Sequence, residues 1–212
     1  MNIKDLPKKI SIFPLSNAIF FPKTILPLNI FEERYIKLVE DCMKNQRLFG
    51  MVQPKVNKKT KSEVYKVGCL GKVISFNETV DKRYVINLSG VIRFRIKEEL
   101  KTKKLYREFE VDYSDFANDL KENNNDKNNY AIQNLIGKTK LLFKNKNYLL
   151  EWKELEKLNL DLLINTICMI TPFSVEEKQL LIETNKVQDK LVILDKIINT
   201  NLLDNLESKT IQ

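Results

Sequence analysis

The chain of 212 residues contains no histidine. That removes the side chain most often used as a general base, the Ser-His and Cys-His pairings that activate nucleophiles, and most zinc sites. An enzyme would be left with carboxylates and lysine, a much narrower chemistry. Cysteine is scarce: Cys42, Cys69 and Cys168 are widely spaced, form no Cys-x-x-Cys, and lie in apolar contexts that predict buried, reduced thiols. Only five glycines occur. None builds a phosphate loop, because Gly137-Lys138-Thr139 would need a glycine where Ile132 stands and its surroundings have helical period. The acidic residues show no Asp-x-Asp metal spacing. Glu32-Glu33, Glu98-Glu99 and Glu176-Glu177 fall at helix starts or turns, where the helix dipole and solvent explain them. No apolar run of about 18 residues exists, and Met1–Lys9 lacks the apolar core of a signal peptide. The expectation is a cytoplasmic protein with no metal, no cofactor, no ATP and no membrane.

What is present is ordinary globular material, 43% hydrophobic and 30% charged. At this length one or two domains with a sizeable core are feasible. The net charge of +8 is uneven: 23 Lys and Arg face 12 Asp and Glu up to Val111, and 13 face 16 beyond it. A basic first half suits nucleic acid or an acidic protein surface, and equally a solvated lysine-rich exterior.

Periodicity divides the chain. Ile12, Phe13 and Leu15 form a short apolar run, and Pro14, Pro22 and Pro27 push this region towards strand edges and tight loops. Phe31, Tyr35, Leu38, Val39 and Cys42 then recur on one face of an amphipathic helix, with Glu32 and Glu33 in its first turn. Arg47–Val52 is extended again. Gln53–Lys66, with five lysines against Glu63, reads as a loop or hairpin tip. In Val67–Phe76, Gly68 and Gly71 predict a bulge or the close approach of another backbone. Alternation is cleanest in Tyr84–Ile96, with Tyr84, Ile86, Leu88, Ile92, Phe94 and Ile96 on one face and Gly90 in phase with them. In Leu105–Tyr113 the inward set reads Leu105, Phe109, Val111 and Tyr113. Several short alternating strands with few helices between them predict a small, closed or half-closed antiparallel barrel.

The second part differs. Asn118–Asn129 holds six asparagines and only Leu120 as an apolar residue, and it is read as a linker. Ile132, Leu135, Ile136, Leu142 and Phe143 predict one helix; Trp152, Leu155, Leu158, Leu162, Leu163 and Ile167 predict a second. Ser174-Val175-Glu176-Glu177 is a capping box that starts a third, through about Glu183. Val187, Leu191, Leu194, Ile198 and Leu202 mark a fourth, with Asp189, Lys190, Asp195 and Lys196 expected in solvent. The fold class is therefore α+β: a barrel over residues 1–117 with one inserted helix, followed by a helical bundle over residues 118–212 whose residues 118–129 are linker.

Specific motifs run through this framework. Phe13-Pro14-Leu15, Phe21-Pro22, Leu26-Pro27-Leu28 and Phe31-Glu32-Glu33-Arg34-Tyr35 occur in order, followed by Val67-Gly68-Cys69 and Gly90-Val91-Ile92-Arg93-Phe94-Arg95-Ile96. With Pro172-Phe173-Ser174 and the helix after it, this series resembles the amino-terminal domain family of Lon proteases over roughly Ile10–Leu203. One departure is Asp81-Lys82, where that family commonly has Asp-Gly. Lysine accepts positive φ poorly, so a hairpin turn of different type or length is expected.

The resemblance implies a PUA-like barrel of the kind also found in the substrate receptor cereblon. It implies a stand-alone, non-catalytic module for recognising polypeptides, in protein quality control or proteolysis-linked substrate recognition. The ATPase and Ser-Lys peptidase modules of Lon have no counterpart within these residues. The partners expected are unfolded or degron-bearing polypeptides, or a partner protein. Phe20 and Phe21, exposed in a loop beside the charged helix start, would anchor such a partner; the alternative is that both cap the barrel core. Glu33 and Arg34 are candidate rim contacts or members of an ion pair. The other functional class is an RNA-binding PUA-like module that contacts phosphates through Arg83, Arg93 and Arg95, within a stripe that includes Arg107, and through the lysine-rich loop.

Overall fold

The structure, a computed structural model, describes residues 2–16, 18–55, 63–121 and 130–210, with side chains as far as Leu203. It divides into two compact units, Met1–Glu122 and Asn123–Gln212. The first contains β1 (Lys9–Pro14), β2 (Ile25–Ile30), α1 (Glu33–Met43), β3 (Leu48–Val52), β4 (Val67–Glu78), β5 (Tyr84–Leu100) and β6 (Arg107–Asp112). Hydrogen bonding runs β2-β5-β4-β3-β1-β6, and β6 returns to β5 to close a ring. This makes the unit a small barrel with β2 attached along β5.

The barrel is mixed, not antiparallel throughout. β1 and β3 pair in parallel, Ile12 opposite Gly50, because the chain returns through α1 and a helical crossover brings the next strand back in the same direction. The helix itself follows its apolar period: Tyr35, Leu38, Val39 and Cys42 are buried. Phe31 is a correction. It precedes the helix, which begins at Glu33, and is 65% exposed.

β5 organises the ring. Its first part pairs with β2, its last part with β6, and its other edge with β4 from Tyr84 to Arg95. Ile86, Leu88, Ile92 and Phe94 are wholly buried, as their alternation predicts. Register shifts lie between Leu70 and Gly71, between Val73 and Ser75, and between Ile96 and Glu98. Such shifts bend strands and let a short sheet close.

The inward set read from Leu105 is also corrected. Leu105 is 60% exposed, and Tyr106 is buried in its place. β6 starts only at Arg107, so strand alternation cannot be extended back through the preceding turn. Of the lysine-rich connection, Pro54 and Val64 pair as a hairpin stem, and residues 56–62 lie outside the described residues.

In the second unit α2 (Tyr130–Asn145), the single turn α3 (Trp152–Leu155), α4 (Leu160–Ile170), α5 (Val175–Glu183) and α6 (Val187–Thr210) enclose a core that includes Leu135, Leu142, Leu163, Ile167, Leu181, Leu194 and Ile198. The helix expected from Trp152 to Ile167 is broken. Asn159 accepts the Leu162 N–H at 2.9 Å and caps a new helix, α4. The Ser174–Glu177 capping box forms as read. Gly137-Lys138-Thr139 sits inside α2, with Lys138 paired to Asp195 and Thr139 buried. Lys190 is not in solvent: it is 5% exposed, and its Nζ donates to Asn165 Oδ1 at 3.0 Å. The linker expected over 118–129 lies outside the described residues from position 122 onward. No helix among the described residues is long and apolar enough to cross a membrane.

The β4–β5 hairpin turns through Thr79–Arg83, closed by Thr79 N–H to the Arg83 carbonyl and Lys82 N–H to the Thr79 carbonyl, both at 2.9 Å. Lys82 takes φ 61°. It therefore adopts the left-handed conformation that glycine would enter without penalty, and Asp81 and Thr79 hold the turn around it. Lys82→Gly should raise stability by up to about 1 kcal/mol, visible as a higher urea midpoint with an unchanged slope.

Candidate cleft beside the first strand

The parallel pairing of β1 with β3 and the late start of β6 leave a cleft of about 210 Å³ at the end of β1. Its wall includes Pro14, Arg34, Tyr35, Pro54, Leu105 and Arg107. Each comes from a different local cause. Pro14 ends β1 and cannot donate a hydrogen bond. Arg34 and Tyr35 open α1, and Pro54 belongs to the hairpin stem. Leu105 and Arg107 flank the turn into β6.

Aromatic rings and guanidinium groups are layered here. Phe13 packs on Tyr35 with ring centroids 4.1 Å apart, the Arg34 guanidinium lies 4.5 Å from the centre of the Tyr35 ring, and Arg107 lies 4.9 Å from that of Phe109. Arg107 holds Glu99 through two bonds of 2.7 Å, and Arg34 holds Glu32 at 2.7 Å. Burial pushes the Tyr35 hydroxyl above its ordinary range, opposed by the positive charges of Arg34 and Arg107. Tyr106 is raised by burial and by its bond to Asp41, 2.9 Å away. The wall thus combines apolar rings, two cations and neutral phenols. It holds no obvious nucleophile.

The residues singled out in the sequence fall in different places. Arg34 lines the cleft, and Glu33 is exposed in the first turn of α1. Phe20 and Phe21 are not exposed: they are 2% and 0% accessible, which corrects the reading of an exposed Phe-Phe loop. Two glycines cause this. A Cβ on Gly71 would stand 2.7 Å from the Phe20 ring, and one on Gly90 would fall onto the Phe21 carbonyl. Their absence lets the segment lie flat on β4 and β5. The turn is then locked by Lys23 N–H to Gly90 O at 2.8 Å, Gly90 N–H to Thr24 O at 2.9 Å and Thr24 Oγ1 to Phe21 O at 2.7 Å.

The arginine stripe also breaks up. Arg93 is 4% exposed; its Nη2 reaches Asp119 Oδ1 at 2.8 Å, and its guanidinium lies over Phe116. It is a buried ion pair, not part of an outer face. Arg83 and Arg95 remain exposed but pair with Asp81 and Asp115. They stand near opposite ends of the β4–β5 ladder, which runs from Glu78↔Tyr84 to Val67↔Arg95.

Sequence reasoning missed Tyr35, Leu105 and Arg107 as cleft residues. The available signal was the cluster of prolines marking an interrupted strand edge. No group of three or more potential metal ligands occurs among the described residues. The thiols of Cys42 and Cys168 are pushed up to about 12 by burial, and that of Cys69 is raised by burial as well, so none is a ready nucleophile at neutral pH.

Comparison with known proteins places these features in a family context. Residues 9–200 match the ATP-dependent protease La (LON) substrate-binding domain. Lon protease of Dictyoglomus thermophilum is 28% identical over 106 residues, covering 49% of this chain and 13% of that protein. Lon protease 2 of Sorangium cellulosum is 34% identical over 92 residues, covering 42% of this chain and 11% of that protein. The chain therefore spans only about an eighth of the length of these relatives. A Lon N-terminal domain protein from Xanthomonas campestris has the same fold, with a TM-score of 0.62 at 19% identity, covering 88% of this chain and 96% of that one. The N-terminal domain of Mycobacterium avium complex Lon protease aligns with a TM-score of 0.58 at 12% identity, covering 91% and 98%.

Two substitutions test the placements above. Phe21→Ala should cost about 3–5 kcal/mol, as for other buried phenylalanines, and would appear as a large drop in the unfolding midpoint. Asp119→Ala should cost about 3 kcal/mol, because it removes the carboxylate that neutralises the buried Arg93 charge, and Arg93→Met in the same chain should restore much of the loss.

Proposed function

The chain belongs to the Lon substrate-binding domain family, and from that membership we propose that it is a non-catalytic module for recognising polypeptides, in protein quality control or proteolysis-linked substrate selection. The observation that carries this reading is the family match over residues 9–200, which covers the barrel and most of the helical unit. The barrel contributes a cleft whose size suits side chains of an extended chain, with Pro14 and Pro54 keeping its rim from acting as an indiscriminate sheet edge. Its rings and guanidinium groups are the residue types that dominate binding energy at protein interfaces. The burial of Phe20 and Phe21 removes them as direct contacts, so Arg34 and the aromatic wall beside it take their place in this proposal.

The RNA reading loses support at its centre, since Arg93 is committed to Asp119 inside the barrel. Parallel binding titrations separate the two classes. The purified protein is mixed with fluorescent reduced, carboxamidomethylated α-lactalbumin, an unfolded polypeptide, and separately with fluorescent polyuridylate. Anisotropy should rise with the unfolded chain, persist in nuclease and fail to rise with native α-lactalbumin. Binding of polyuridylate with a steep fall in salt, and none of the polypeptide, would replace this function by nucleic-acid binding.

A further inference from the structure

β1 outlasts one of its two partners. It pairs with β6 only as far as Ile12↔Arg107, yet it continues to Pro14 beside β3. The Leu15 N–H donates to the Val52 carbonyl at 2.9 Å. The Pro14 carbonyl belongs to the same trans peptide unit and so points away from β3, to the side where β6 has ended. The residues that precede β6, Leu105 and Tyr106, line the cleft on that side. Proline offers no N–H there, so this stretch of edge presents an acceptor.

The charge in the cleft is one-sided. Its two charged lining residues are Arg34 and Arg107; Glu32 and Glu99, which hold them, lie outside the lining. Arg34 directs both Nε and Nη2 to a single oxygen of Glu32, at 2.9 and 2.7 Å, and its Nη1 has no partner among the described residues. An exposed pair of this kind is weak and open to exchange with another carboxylate. Tyr35 and Leu105 supply apolar surface beside it, and at about 210 Å³ the cleft accepts a side chain or two, not a folded surface.

We propose that this cleft takes an extended polypeptide segment carrying an internal aspartate or glutamate. A backbone N–H of the segment donates to the Pro14 carbonyl, the carboxylate meets Arg34 with the charge of Arg107 behind it, and a neighbouring aliphatic side chain lies against Tyr35 and Leu105. The inference rests on the polypeptide-recognition reading and specifies which segments are read.

The test uses a fluorescein-labelled, C-terminally amidated peptide, Gly-Ser-Ala-Val-Asp-Ala-Val-Ser-Gly, and its twin with asparagine in place of aspartate. The acidic peptide should bind about tenfold more tightly, the scale of one charge-assisted hydrogen bond. Arg34→Gln should abolish that preference, so that the two peptides bind the variant with equal affinity. Leu105→Asp, at a position 60% exposed and therefore tolerant, should reverse it by placing a carboxylate in the cleft. Equal affinity of the two peptides, or a preference that survives Arg34→Gln, overturns the inference. A gain seen only with a free carboxyl terminus also overturns it, by assigning the carboxylate to a chain end. The unfolded α-lactalbumin assay separates the levels of failure. If that chain binds and the peptides are not distinguished, the acidic-segment inference alone falls; if neither binds, the recognition reading falls and takes this inference with it.

Discussion

The barrel depends on how closely one loop approaches two of its strands. Phe20 and Phe21 lie against β4 and β5 at Gly71 and Gly90, where any side chain would collide with a ring or a carbonyl. Two aromatic side chains enter the core through this contact, and three hydrogen bonds at Lys23, Thr24 and Gly90 fix the turn that follows. Apolar burial drives the docking, and the missing Cβ atoms permit it. From that turn the chain enters β2, which then pairs with the first half of β5. β2 leads into α1, after which β3 returns parallel to β1.

Closure of a ring by strands of unequal length leaves local defects, and the cleft is one of them. β5 is long enough to pair with three strands, while β6 is short and starts opposite Ile12, two residues before β1 ends at Pro14. The unfilled position is bordered by proline at two points, which limits nonspecific strand addition. The cleft thus arises from a mismatch in strand length. The binding surface proposed here is built from the end of β1, the first turn of α1 and the bend before β6, with Pro54 of the hairpin stem at its rim.

Electrostatics separate structural from available charge. Arg93 and Asp119 form a buried pair that ties the turn at Ser114–Leu120 to β5, and Phe116 packs under the guanidinium. Asp119 therefore belongs with the barrel unit, which runs to Glu122. Arg83, Arg95 and Arg34 remain at the surface with exposed partners, and of these three Arg34 lines the concave, partly apolar cleft, as Arg107 does. A count of positive residues along the sequence gives all of them equal weight. Burial and shape do not.

Much of this architecture was written in local patterns. The alternation of Tyr84–Ile96, the buried stripe Tyr35–Leu38–Val39–Cys42, the capping box at Ser174 and the motif series from Phe13 to Ile96 are short-range properties, so sequence alone determined the α+β class, the inserted helix, the helical second part and the family resemblance. Other outcomes were decided between segments far apart in the chain. Whether Phe20 and Phe21 faced water or core turned on Gly71 and Gly90, some 50 and 70 residues away. Whether Arg93 lay inside or outside turned on Asp119, and whether Leu105 or Tyr106 faced inward turned on where β6 began. The lack of histidine and the scattered thiols could be read directly, because composition bounds chemistry without reference to shape. The location of the cleft could not, because a gap between strands belongs to their three-dimensional register and to no single stretch of residues.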